Sequence, residues 1–140
     1  MGDKTLLVVG GGIEALPGLQ RAKAMGLHLV VSDGNPHAPG FLYADDALVV
    51  STYDASATMH QAWAYHTQER SIDGVIALAA DVPLTVASVA QLLGLPGHSM
   101  ETATLCSDKV LMKDRLSAAG VPIPHYGECF SSSHLADLVK

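Results

Sequence analysis

Apolar residues in this chain fall into short unbroken runs, separated by stretches where they recur every third or fourth position. Residues 5–9 form the first run and end in Gly10-Gly11-Gly12, after which Ile13, Leu16, Leu19 and Ala22 repeat at helical spacing as far as Gly26. A second run, 27–32, closes on Asp33-Gly34-Asn35-Pro36, where Gly and Asn tolerate a turn and Pro prevents continuation. Residues 47–51 read as a third strand. A helix over 56–70 follows, with Met59, Trp63 and His66 expected to face inward. Asp73-Gly74 turns the chain into a fourth run, 75–78, and Val82, Val86, Val89, Ala90 and Leu93 then mark an amphipathic helix that Gly94 ends. Asp81, just before it, is placed to act as its N-cap. Strands that are apolar throughout and alternate with helices call for a parallel sheet covered on both faces. The pattern therefore predicts an α/β fold, a Rossmann-like doubly wound parallel sheet of about four strands over roughly residues 4–95.

The pattern changes at residue 96. Two helical pieces are expected at 100–105 and 109–119, the second with Leu111, Met112, Leu116 and Ala119 on its apolar face and Gly120 as its stop. Val121-Pro122-Ile123-Pro124 is extended, 126–130 reads as a strand, and Ser131-Ser132-Ser133 offers an N-cap to a final helix. We therefore divide the chain into a Rossmann-like domain, 1–95, and a second segment, 96–140, that begins another domain.

Composition narrows the class. With 140 residues, 49% of them hydrophobic and 16% charged, the chain is long enough for a real core and too apolar for disorder. A net charge of -6 with eight Lys and Arg leaves no basic stripe for nucleic acid. The N-terminal apolar run is shorter than a signal sequence, and 82–100, the longest uncharged stretch, is broken by Gly94-Leu95-Pro96-Gly97, so neither export nor a membrane span is indicated and a cytoplasmic location is expected. Cys106 and Cys129 show no metal or disulfide spacing and are expected to be free, buried thiols. The seven histidines include no His-x-x-x-His pair, and neither a Walker loop nor a G-x-S-x-G elbow occurs.

The candidate chemistry lies along one sheet edge. Gly10, Gly12 and Ala15 fit G-x-G-x-x-A between a strand and a helix, and Asp33 follows Gly12 by 21 residues. Those are the parts of an NAD(P)-type dinucleotide fingerprint: the glycines admit a pyrophosphate and the acid takes a ribose hydroxyl. Tight strand-to-helix turns in this fold also want glycine for purely structural reasons. Pro17 requires the helix to begin late or bend, and Glu14 sets a carboxylate where a pyrophosphate would lie, so both weigh against the cofactor. Gly11, Gly12, Asp33 and Asp81 are the candidate substrate-binding residues, since ligands of open α/β sheets bind at the carboxyl ends of the strands. For Asp81 the capping role stands beside that reading.

The passage "GLPGHSMETATLCSDKVLMKDRLSAAGVPIPHY", together with "DGNPHAPG" and "YADDALVV" upstream, resembles the N-terminal domain of ATP-grasp enzymes and its link to their ATP-binding region, in the subgroup that includes carbamoyl phosphate synthase and biotin carboxylase. The resemblance implies a Rossmann-like domain that does not bind NAD, a glycine-rich loop facing the non-nucleotide substrate, and a role for Lys109 in reaching ATP phosphates. It further implies a full-length parent that uses ATP and magnesium to form an acyl phosphate from a carboxylate or bicarbonate, with the second ATP lysine, the adenine contacts and the magnesium ligands beyond residue 140. On that reading these 140 residues bind no cofactor tightly and are not by themselves a working ligase. A third reading is a self-associating interaction module in which the apolar face of 109–119 makes a homodimer.

Overall fold

The computed structural model describes residues 4–138; residues 1–3 and 139–140, the outer ends of the two expected domains, lie outside the described residues. The strands are β1 (Thr5–Val9), β2 (His28–Asp33), β3 (Asp46–Val49) and β4 (Gly74–Ile76), and they form one sheet in the order β3-β2-β1-β4 with every pairing parallel. Leu7 pairs with Val30 on one side and Val75 on the other. The helices are α1 (Leu16–Ala24), α2 (Ala55–Gln68), α3 (Pro83–Leu93), α4 (Met100–Ser107), α5 (Lys109–Ala118) and α6 (Ser132–Leu138). No helix among the described residues is long and apolar enough to cross a membrane.

The two central strands are apolar in their middles, residues 6–9 and 29–31, because both their faces are covered. Side chains alternate across a strand, so Leu7, Val9 and Val30 enter one core with Ala62, Tyr65, Val86 and Val89 of α2 and α3. Val8, Leu29 and Val31 enter the other core with Leu19 and Ala22 of α1. Leu7, Leu19 and Leu29 are fully buried, each stabilising the fold by about 1.5–3 kcal/mol relative to exposure. β3, at the sheet edge, is largely exposed.

Several expectations are corrected. On α2 the inward residues are Thr58, Ala62 and Tyr65, while Trp63 is 48% exposed. Asp54 sets this rotation by accepting a 2.9 Å hydrogen bond from the Ala57 amide as the N-cap. Met59 packs at the edge of the core, and half-buried His66 accepts the Ile72 amide at 3.0 Å through Nδ1. Asp81 does not cap α3. The N-cap residue is Val82, whose buried side chain fixes the helix start, and Pro83 in the first turn has no N–H to be capped. Cys106 and Cys129 are both exposed. Residues 121–130 form no regular element and pair with no strand; they are held by Tyr126, whose hydroxyl donates to Asp114 and whose ring lies 5.1 Å from Lys113 Nζ. α4 packs on α3 through fully buried Ala103, whereas α5 has no buried residue.

At the amino ends of the strands, one polar cluster ties four elements together. Asp46 of β3 accepts hydrogen bonds from Tyr65 of α2 at 2.6 Å and from His28 Nε2 of β2 at 2.8 Å. Asp45 accepts Lys23 of α1 at 2.6 and 2.8 Å and the Leu29 amide at 2.8 Å. The Tyr65 hydroxyl and then His28 hold the Asp46 carboxyl below its ordinary range; Lys23 does the same for Asp45. Burial, and then the Asp46 carboxylate, push the Tyr65 phenol well above its ordinary value.

Candidate functional site

The carboxyl ends of the strands carry the glycine loop, and each glycine there has a different task. Gly10 leaves β1 with φ +99°, a left-handed conformation that favours glycine, and a Cβ at this position would meet the Ala80 Cβ at 2.8 Å. Gly11 is buried: its amide donates to Asp33 Oδ2 at 2.8 Å and its carbonyl accepts the Gly40 amide at 2.7 Å. Gly12 faces outward, and its carbonyl accepts the Ala15 amide at 3.0 Å. A 3-10 turn, Ile13–Ala15, then precedes α1, which starts at Leu16 with Pro17 in its first turn. The helix therefore begins late, as Pro17 requires.

Asp33 is held at the end of β2 by two backbone donors, Gly11 on Oδ2 and Asn35 on Oδ1, both at 2.8 Å. Asn35 in turn accepts the His37 amide at 3.0 Å. These bonds pin the loop after β1 to the loop after β2. Asp33→Ala is expected to release both amides, to lower stability by about 1–2 kcal/mol, and to speed hydrogen exchange at Gly11 more than at the amides of β1. An equal change at Gly11 and along β1 would show that the Asp33 bonds do not hold the loop.

Between these loops lies a hollow of about 150 Å³, walled by Gly10, Gly12, Glu14, Asp33, Thr52 and Ala80 among others. Ala80 also walls a neighbouring hollow of about 360 Å³ over Val75, Ile76 and Val86, rimmed by Asp81, His98 and Cys106. The structure thus brings Gly12 and Asp33 into one hollow, places Asp81 in the next, and sets Gly11 behind the wall. Lys109 lines neither. It is the exposed first residue of α5, where Asp108 caps the helix by accepting the Val110 and Leu111 amides at 2.9 and 3.0 Å.

Sequence reasoning passes over Thr52, Ala80 and Gly40. The position of Thr52 and Ala80 just beyond β3 and β4 marks them, because loops at the carboxyl ends of parallel strands converge on one edge. For Gly40 the signal is weaker, a glycine after Pro39 in a 3-10 segment, Pro39–Tyr43.

The parallel sheet, with a latched glycine loop and two hollows at its carboxyl edge, is that of a Rossmann-like α/β domain. The profile of the ATP-grasp N-terminal domain family matches residues 19–97, more than half of the chain, and the chain belongs to that family. Its fold is similar to that of phosphoribosylglycinamide synthetase from Anaerococcus prevotii (TM-score 0.76, 22% identity, 98% of this chain and 34% of that one). L-amino acid ligase from Bacillus licheniformis is also similar (TM-score 0.73, 23% identity, 96% and 34%), as is N5-carboxyaminoimidazole synthetase from Staphylococcus aureus complexed with ADP (TM-score 0.72, 17% identity, 97% and 35%). At these identities the likeness is one of fold, and the chain spans about a third of the length of each. Comparison with curated proteins finds no match.

Proposed function

We propose that this chain is the N-terminal, substrate-side part of an ATP-dependent carboxylate–amine ligase or carbamoyl phosphate synthase-like enzyme that works through an acyl phosphate. The observation that carries the reading is the latched glycine loop. With Gly11 committed to Asp33 and Gly40, and Glu14 standing beside Gly12, the loop frames a hollow of about 150 Å³. Two carboxylates, Glu14 and Asp33, line it with no Lys, Arg or His to offset them, so the pyrophosphate of a dinucleotide would be repelled there. The hollow suits one end of a small substrate.

Lys109 fits the nucleotide side of this reading. Its ammonium is exposed, has no hydrogen bond or ion pair among the described residues, and stands at the positive end of a helix, where an anion is favoured. ATP supplies the phosphoryl group in such enzymes, and Lys109 would add one cation to its phosphates. Magnesium finds no comparable fit, since no group of three His, Cys, Asp or Glu among the described residues could hold a metal ion.

Calorimetry tests the reading against its dinucleotide-binding alternative. NAD titrated into the 140-residue chain is expected to give no binding heat up to millimolar concentration. Binding at micromolar NAD would overturn the proposal and restore the Rossmann-cofactor function.

A further inference from the structure

The walls of the glycine hollow have a chemistry that selects among substrates. Two carboxylates, Glu14 and Asp33, line it, and no Lys, Arg or His does. Asp33 has both oxygens occupied by backbone amides. Glu14 has no hydrogen bond or ion pair among the described residues, and its Oε2 lies 3.2 Å from where a Cβ on Gly12 would stand. In the first turn of the 3-10 segment, Glu14 fills with its own charge the position where a helix start would otherwise attract an anion. A phosphate entering here would meet two negative charges with no cation to offset them, whereas an ammonium would meet a free acceptor at hydrogen-bonding range.

A second hollow adjoins this head group. Ala80 is a wall of both, so a ligand seated at Glu14 that reaches past Ala80 would lie over Val75, Ile76 and Val86. That floor is apolar, and the space of about 360 Å³ above it admits a branched aliphatic or small aromatic group.

We propose that Glu14 is the specificity-determining residue of this groove, selecting a substrate with a primary ammonium head in the glycine hollow and an apolar body over Ile76 and Val86, and rejecting phosphorylated heads. The inference rests on the substrate-side reading above, since it assumes that the glycine hollow receives the non-nucleotide substrate.

Amide-shift titrations of the 140-residue chain with three probes test it: 3-methylbutylamine, 3-methylbutanol, which keeps the body and loses the charge, and inorganic phosphate. The amine is expected to shift the Gly12, Glu14 and Ala80 amides and to bind roughly tenfold more tightly than the alcohol, as a charge-assisted hydrogen bond requires. Phosphate is expected to leave residues 10–14 unmoved. Glu14→Gln, an exposed and isosteric change, should bring the amine down close to the alcohol's affinity while weakening the alcohol far less. Equal binding of amine and alcohol, an amine affinity indifferent to Glu14→Gln, or phosphate shifts at residues 10–14 would each overturn the role of Glu14 and leave the hollow as a substrate site. If no probe moves either hollow, the substrate-side reading itself fails, and the inference with it.

Discussion

Gly40→Ala is expected to destabilise the chain by about 2–3 kcal/mol, at the upper end of what one added methyl costs in a packed site. A Cβ at residue 40 would lie 2.7 Å from Gly11 Cα and 2.8 Å from Gly11 O, with Leu19 Cδ1 at 3.0 Å. The first two are backbone atoms, so no rotamer change relieves the clash. The 3-10 segment must move off the glycine loop, which breaks the 2.7 Å bond from the Gly40 amide to the Gly11 carbonyl. Gly74→Ala is the matched control: the same methyl is added in β4, where the nearest atom is Leu6 Cδ1 at 3.4 Å, an ordinary contact. It should leave stability unchanged or raise it slightly, because alanine loses less backbone entropy on folding than glycine. Urea unfolding of the two variants measures the difference. If both shift the midpoint equally, the close approach of Gly11 and Gly40 does not constrain the loop.

The contrast between these glycines shows where sequence stops being legible. Apolar runs locate β1 and β2 to within a residue, because both faces of those strands are buried and their central positions, residues 6–9 and 29–31, are all apolar. The same pattern puts β3 at 47–51, one residue late at its start and two at its end: it runs Asp46–Val49, and at the sheet edge a charged residue can join the ladder. The direction of α2 escapes periodicity for a related reason. Trp63 offers the largest apolar surface on the helix, but the rotation is fixed by the Asp54 cap and by the polar anchor of Tyr65, which periodicity does not weigh. In the candidate site, the strand–glycine–helix spacing points to the edge where the two hollows lie. It does not separate Gly11, which is committed to Asp33 and Gly40, from Gly12, which faces the hollow, because the distinction rests on Gly40, 29 residues away in sequence. For Asp81, one position decides the matter: the helix starts at Val82 because that side chain is worth more in the core than a cap is on the surface.

Asp46→Asn should show the second large effect, and one that depends on pH. The Asp46 carboxylate accepts from the Tyr65 hydroxyl and from His28, joining β2, β3 and α2. Tyr65 is 7% exposed, so a weakened acceptor leaves its hydroxyl partly unsatisfied, at a cost of about 1–3 kcal/mol near neutral pH. Asp45 and Asp46 are both held below the ordinary value of 3.8 in the folded chain. Below that value the unfolded chain takes up protons that the folded one resists, so stability present above pH 3.8 falls as pH drops through the folded titration. Asp73, lowered by Lys4, adds to the same acid limb. The Asp46→Asn change removes that carboxylate's share, so the variant should begin less stable and lose less between about pH 5 and pH 2.5. Tyr65 acts in the opposite direction. With its phenol raised above the ordinary 10.0, the unfolded chain releases that proton first, and stability falls as pH climbs past 10. Tyr65→Phe should remove the Tyr65 share of the alkaline loss, leaving that of Tyr126, whose phenol is raised by its bond to Asp114, while keeping the acid contribution of Asp45. Urea midpoints of the wild type and both variants across about pH 2.5 to 11 measure the two limbs. Parallel curves for wild type and Asp46→Asn on the acid side would show that the carboxylate is solvated rather than linked to folding, and that the cluster at the amino edge of the sheet does not hold its four elements together.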